Sequence, residues 1–111
     1  MPFAPKLFLL LAALPLPALA AEQWVVATDW WGSTNYQTLH MDVQGEQVSG
    51  KLDADPVTGS LRGGRLQFTA RDSQGQAYHF EGQIDDAKMR GQSDQPDTNH
   101  RDRRITHAFT A

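Results

Sequence analysis

The 111-residue sequence contains no cysteine, and this absence removes a whole group of possible functions. Without thiols the chain cannot bind zinc through cysteine, use a cysteine nucleophile or carry a redox pair. Many small exported domains are held together by disulfides. This chain must instead depend on packing and hydrogen bonds for its stability.

Helical periodicity and long apolar runs are also missing after residue 20. No later stretch places apolar residues at i, i+3, i+4 and i+7 over the length of a helix. No later stretch is apolar enough to span a bilayer, so we expect no integral membrane segment in the mature chain. The formal net charge is −3, which gives no reason to expect a nucleic-acid partner.

Motifs that carry chemistry are scarce as well. The sequence has no G-x-S-x-G turn for a serine nucleophile and no glycine-rich phosphate loop. The acidic pairs Asp53-x-Asp55 and Asp85-Asp86 fall where strands end, which favours turn capping over acid–base chemistry. None of the histidines has metal-binding spacing; they are His40, His79, His100 and His107. We therefore predict no catalytic residue, no metal site and no cofactor for this chain.

What the sequence does contain at its start is the layout of a secretory signal. Lys6 precedes the apolar run 7–14, and Ala18-Leu19-Ala20 supplies the small residues that a signal peptidase needs. We predict a signal peptide over residues 1–20 and a single domain over residues 21–111, periplasmic or secreted. Because Lys6 is the only charged residue removed, cleavage changes the formal net charge from −3 to −4.

The predicted mature chain alternates apolar and polar residues almost throughout. Leu39-x-Met41-x-Val43 and Leu66-x-Phe68-x-Ala70 are examples, and this period of two indicates strands with one buried face. Turn residues such as Gly63-Gly64 separate the runs. The predicted strands cover residues 23–29, 36–43, 47–53, 59–62, 65–71, 76–84, 87–92 and 104–110.

Matched glycines inside two of these strands indicate the architecture. Gly50 and Gly82 occupy equivalent places in a weak internal repeat, in which each strand is followed by a short segment ending in Arg-Gly. A glycine inside a strand is typical of a sheet that bends sharply. We predict an all-β fold, a small antiparallel meander of about eight short strands in a closed or nearly closed barrel, with an open two-layer β-sandwich as the alternative.

The segment 93–104 breaks the alternation, because Pro96 is its only apolar residue. Such a composition predicts a solvated loop between the last two strands.

The densest aromatic cluster is the candidate for a ligand or partner surface, since aromatic side chains dominate such contacts. Trp30 and Trp31 are adjacent, so both cannot point into the core from one continuous strand, and we expect one to cap the barrel end. The basic residues of the predicted loop could contact a phosphate or carboxylate. The predicted surface residues are Trp24, Trp30, Trp31, Tyr36, Arg101 and Arg104.

Taken together, several segments resemble a known exported β-domain. The segments are 24–32, 36–39, 45–50, 61–63 and 66–68, and the match continues to Ala111. The chain is similar to the domain that precedes the catalytic domain in some bacterial acetamidase/formamidase-type amidohydrolases. Similar meanders occur in calycin-like barrels. The resemblance implies a β-domain without catalytic residues, because the metal ligands of the amidase would lie in the domain that follows.

Two hypotheses for function remain open. The first is a non-catalytic exported β-domain that docks onto a hydrolase domain or another periplasmic protein, with any amidase activity in a separate domain or chain. The second is a stand-alone calycin-like binder of a small apolar or aromatic ligand. A barrel of eight short strands is only wide enough for its own side chains, which favours the first.

Overall fold

A computed structural model describes residues 20–97 and 99–111 of the chain, so the predicted signal peptide lies outside the described residues, except for Ala20. The described residues form an all-β fold. The eight strands are Ala20–Trp30 (β1), Ser33–Gln44 (β2), Gln47–Leu52 (β3), Asp55–Arg62 (β4), Arg65–Arg71 (β5), Ala77–Asp85 (β6), Lys88–Asp97 (β7) and His100–Thr110 (β8).

The strands form a closed antiparallel barrel in which each one pairs with the next and β8 returns to β1. The predicted meander barrel is confirmed, and the open-sandwich alternative is wrong. The closing contact is short, because only Ala27 with Thr110 and Thr28 with Phe109 are paired between β1 and β8. By contrast, the pairing of β1 with β2 runs from Ala20 to Trp30.

Tight turns connect the strands, and the predicted turn at Gly63-Gly64 is confirmed. Gly63 and Gly64 join β4 to β5 with φ angles of 56° and 78°. Two-residue hairpins need positive φ at their central positions, which glycine adopts without steric cost. Trp31 and Gly32 join β1 to β2 in the same way, with φ angles of 49° and 89°. Trp31 therefore leaves the strand at the turn.

The barrel interior is filled by side chains from all eight strands. Phe68 and Phe80 are direct cross-strand partners, and their rings stack with centroids 4.6 Å apart. Phe109 meets Phe80 edge to face at 5.4 Å. The buried hydrophobic residues are Val26, Leu39, Met41, Val48, Leu52, Val57, Leu66, Phe68, Ala70, Phe80, Met89 and Phe109.

Glycines mark the places where neighbouring backbones approach most closely. Gly50 has a φ of 146°, and a Cβ there would collide with the carbonyl group of His40. Gly82 lies opposite Gly91, and a Cβ at Gly82 would lie 2.6 Å from the carbonyl oxygen of Arg90 and 3.2 Å from Cζ of Phe109. These close contacts fit the prediction that Gly50 and Gly82 lie where the sheet bends sharply.

The predicted loop at 93–104 is wrong. β7 continues to Asp97 and β8 begins at His100, so paired strands occupy most of this segment. Alternation persists here with polar residues in the inward positions, because Ser93 is 1% exposed and Gln95 6% exposed. A search for apolar residues at every second position therefore misses the end of β7 and the beginning of β8.

Candidate functional site

Two hairpin ends extend past their neighbours at one end of the barrel. β3 pairs with β2 only from Leu39 onward, which leaves residues 29–37 of the first hairpin, here called the first tip. β6 pairs with β7 no further than Asp94, which leaves residues 95–97 and 99–105, here called the last tip. In both segments each strand pairs only with the other strand of its own hairpin, and their side chains form the candidate site.

Three rings join the two hairpins beyond the short β1–β8 pairing. Trp30 stacks on His107 with centroids 6.0 Å apart, and Trp31 meets the same imidazole edge to face at 4.9 Å. The two indoles lie 6.0 Å apart. We call Trp30, Trp31 and His107 the aromatic joint. Its position fits the expectation that an indole caps the barrel end, although both indoles rather than one take part.

His107 is more enclosed than its sequence position indicates. The alternation predicts a half-buried ring with one hydrogen-bond partner, whereas the residue is only 7% exposed. Its carbonyl oxygen accepts a long hydrogen bond of 3.4 Å from the Ser93 hydroxyl. The ring itself is held by the two indoles, which explains how an inward histidine is accommodated among apolar neighbours.

Buried polar atoms accompany the aromatic joint inside the barrel. Within residues 20–97 and 99–111, no hydrogen-bond partner is found for Oγ1 of Thr28, Nε1 of Trp30 or Nε2 of Gln95. Thr28 is 2% exposed, and it precedes Trp30 by two residues on the same face of β1. Leaving a buried donor or acceptor unpaired costs about 1–3 kcal/mol. These unpaired atoms therefore lower the stability of this end of the barrel.

The large exposed hydrophobic side chains belong to the first hairpin. Trp31 is 58% exposed, Tyr36 68% and Val25 55%. Tyr36 lies opposite Ala27, and Val25 lies opposite Thr38. Val25 and Tyr36 are thus diagonal neighbours on the outer face, within reach of one another. We call Val25, Trp31 and Tyr36 the exposed hairpin residues.

The other predicted site residues are placed apart from this group. Trp24 faces inward six residues before Trp30 and packs against the core, and its Nε1 is also buried without a partner in the described part of the chain. Arg104 donates from Nε to Oδ1 of Asp94 at 2.9 Å and from Nη2 to the carbonyl oxygen of Ala77 at 2.7 Å. The side chain of Arg101 lies outside the described residues. The structure therefore brings together Trp30 and Trp31 but not all six residues.

Asp72 is the centre of a group of hydrogen bonds in the turn between β5 and β6. Oδ1 of Asp72 accepts hydrogen bonds from the amides of Gln74 and Gln76, both at 2.9 Å. Tyr78 donates its hydroxyl to Oδ2 of Asp72 at 3.2 Å. Burial, and then the negative charge of Asp72, raise the pKa of the Tyr78 phenol above its usual value. The arrangement is that of a capped turn.

An open groove of about 990 Å³ on the outer surface of β4–β8 was not predicted from the sequence. Arg62 and Arg65 are direct partners across the Gly63-Gly64 turn, and Arg90 is opposite Gln83. Arg62 is paired with Glu46 at 2.9 Å. The outward parity of the three arginines is a sequence signal, but it is informative only once the strand register is known.

A comparison of the chain with protein-family models, curated proteins and solved structures finds no match. The resemblance to an amidase-associated β-domain therefore remains a prediction. Across residues 20–97 and 99–111, no group of three or more histidine, aspartate or glutamate side chains is arranged to hold a metal ion. In the same residues no helix is long and apolar enough to cross a membrane.

Proposed function

We propose that this chain is an exported, non-catalytic β-barrel domain that docks onto a partner protein through the outer face of its first hairpin. The observation that supports this proposal is the location of the exposed hairpin residues, because Val25, Trp31 and Tyr36 all belong to one hairpin. Exposed aromatic residues concentrated in one element are typical of interaction surfaces.

The proposed partner is a hydrolase of the acetamidase/formamidase type. This choice rests on the sequence resemblance given above. Such a partner would supply the catalytic residues, and the barrel would contribute a rigid surface. An adjacent reading frame for an amidohydrolase of this type would support the pairing.

The experiment compares capture of periplasmic proteins by the exported chain and by a Trp31→Ala/Tyr36→Ala variant. We expect an amidohydrolase to co-purify with the unaltered chain and to be lost, at least tenfold, with the variant. Lys88→Ala serves as the control, because Lys88 is exposed and begins β7, at the opposite end of that strand from the last tip. Recovery of no stable partner by the unaltered chain, or equal recovery by both variants, would contradict the proposal.

A second candidate function is the binding of a small aromatic ligand at the end of the barrel. The exposed indole of Trp31 beside Trp30 favours it, since an aromatic ligand could stack on that indole. A fluorescence titration of the tryptophans with a panel of small aromatic acids and amides tests this function. An emission that no compound changes in the exported chain argues against it.

A further inference from the structure

The edge of β2 within the first tip is free to accept another strand. Asp53 ends the pairing with β3, because its amide donates to the carbonyl oxygen of Thr38 at 2.7 Å and its Oδ1 accepts from the Thr38 amide at 2.9 Å. Alternate residues of a strand direct their amide and carbonyl groups to the same side. The amide and carbonyl groups of Tyr36 and Thr34 therefore point away from β1, toward the position that a longer β3 would occupy. No described residue pairs with them on that side.

Nothing in the sequence of this edge prevents strand addition. Residues 33–37 read Ser-Thr-Asn-Tyr-Gln, with no charge and no proline. Natural proteins usually block exposed strand edges with lysine, proline, a bulge or a covering segment. The corresponding edge of the last tip has such devices, since it contains Pro96 and Asp97 and a register shift between them. The β7 edge of the last tip is thus blocked, whereas the β2 edge of the first tip is open.

We infer that this edge pairs with the same edge of a second copy of the chain, forming a twofold symmetric dimer. A twofold axis at Asn35 places Thr34 of each copy opposite Tyr36 of the other. Both residues of each pair direct their amide and carbonyl groups toward the partner. Each such pair exchanges two hydrogen bonds, so the four free amide and carbonyl groups of each edge are all satisfied by the other copy. Twofold self-complementarity of this kind is the commonest basis of homodimers.

The length of the open edge fits this register. In the dimer Ser33 of one copy lies opposite Gln37 of the other, and the chain turns away at Gly32. The next position, Thr38, is already occupied by Asp53. The incoming strand therefore ends one residue before it would meet the β3–β4 turn.

The charge of Asp53, the residue that ends the open edge, does not oppose the dimer. Thr38 lies three residues from the proposed axis, so the two Thr38 residues, and the Asp53 residues bonded to them, are about 20 Å apart along the strands. This distance is well beyond the screening length of about 8 Å at physiological ionic strength. The outer faces also match, because each Tyr36 ring, exposed by 68% in one copy, lies beside Thr34 of the other. Tyr36 belongs to this edge and also to the exposed hairpin residues, so the Asn35→Cys cross-link described below, which needs no partner protein, distinguishes the two proposals.

Analytical ultracentrifugation of the exported chain, without its predicted signal peptide, over a hundredfold concentration range tests the dimer. We expect a concentration-dependent monomer–dimer equilibrium. Tyr36→Pro removes one edge amide that β1 does not use, and we expect it to weaken dimerisation at least tenfold. Tyr36→Thr keeps the amide and should weaken dimerisation much less. A monomer at every concentration, or equal effects of proline and threonine, would overturn the inference.

A cross-linking experiment tests the register even if the proline variant fails to fold. The sequence has no cysteine, so a single introduced thiol can pair only with its counterpart in another copy. Asn35→Cys places two thiols at the twofold axis in a non-hydrogen-bonded pair, the closer of the two pair types and within disulfide range. Gln37→Cys is the matched control, because it faces the same side but lies opposite residue 33. We expect rapid disulfide formation for Asn35→Cys alone, and equal rates would contradict the register.

Discussion

The two long hairpins of the barrel differ in how their ends are held. The last tip is bound by Arg104, which joins β8 to the side chain of Asp94 on β7 and to the carbonyl oxygen of Ala77 on β6. The first tip has no such link to a third strand in the described structure, where residues 33–37 of β2 pair with β1 alone. The two hairpins meet at the aromatic joint and at the short β1–β8 pairing.

This difference teaches that the barrel protects its edges selectively. Charge, proline and a side-chain hydrogen bond to main-chain carbonyls are concentrated on the last hairpin, while exposed aromatic residues are concentrated on the first. The residues that protect a strand edge and the exposed aromatic residues therefore lie on opposite sides of the β1–β8 pairing. The division assigns stability to one hairpin and interaction to the other, and four experiments follow from it.

The largest expected effect is that of Gly91→Val, which should destabilise the last hairpin, formed by β7 and β8. A Cβ at this position would collide with the carbonyl group of Glu81, so β6 and β7 must separate to admit a side chain. We expect a loss of about 3 kcal/mol in the free energy of unfolding. The neighbouring Gln92→Val is the control, since Gln92 is exposed and its replacement should change stability by less than about 0.5 kcal/mol. Equal denaturant midpoints for both variants would mean that the sheet is not crowded at Gly91.

Arg104→Ala should remove the link that distinguishes the last tip from the first. The guanidinium group donates to Asp94 and to the carbonyl oxygen of Ala77, and we expect its loss to cost about 1.5 kcal/mol. Arg104→Lys should not restore this stability, because an ammonium group cannot reproduce the forked geometry. Thermal unfolding measures both variants. If Arg104→Lys kept the full thermal stability of the unaltered protein, the positive charge alone would account for the contribution of Arg104.

The aromatic joint can be tested with a double-mutant cycle. Trp31→Ala and His107→Ala, separately and together, isolate the contact between rings whose centroids lie 4.9 Å apart. We expect a coupling energy of about 1 kcal/mol. Chemical denaturation of the unaltered protein, the two single variants and the double variant gives the free energies from which this coupling energy is calculated. Strictly additive losses would indicate that the two hairpins do not hold one another through these rings.

Tyr78→Phe should have the smallest effect, and it depends on pH. The folded state raises the pKa of the Tyr78 phenol, first through burial and then through the negative charge of Asp72. Below about pH 10 the phenol is neutral in both states, and loss of its hydrogen bond to Asp72 should cost about 0.5 kcal/mol.

The sign of the pH dependence follows from the same shift. As the pH rises above about 10 the unfolded chain ionises first, which favours unfolding of the unaltered protein. The difference in urea midpoint between Tyr78→Phe and the unaltered chain should therefore narrow with rising pH. Parallel curves from pH 8 to 11 would contradict the raised pKa.

Much of the fold could be predicted from the sequence because the inward residues are apolar in most strands. Leu66, Phe68 and Ala70 alternate with polar residues, and all three are buried. The rule fails at residues 93–104, where Ser93 and Gln95 take the inward positions. There the strands are held by main-chain pairing and by Arg104, which an apolar pattern does not reveal.

The candidate site was only partly predictable. The cluster at Trp30 and Trp31 is visible in the sequence, but the contact with His107 depends on the β1–β8 closure. No local pattern specifies which strands close a barrel. The open edge of β2 depends on where β3 ends, and that is set by the hydrogen bonds between Asp53 and Thr38.

The two-residue seam between β1 and β8 also has a consequence for folding kinetics. Every other strand pair in the described structure joins consecutive strands, so most contacts form within short stretches of chain. Local contacts form quickly because little loop entropy is lost, whereas joining the first strand to the last closes the longest loop of the barrel. We expect a curled sheet with an open side to form first. Closure of the seam would then be the late, slow step.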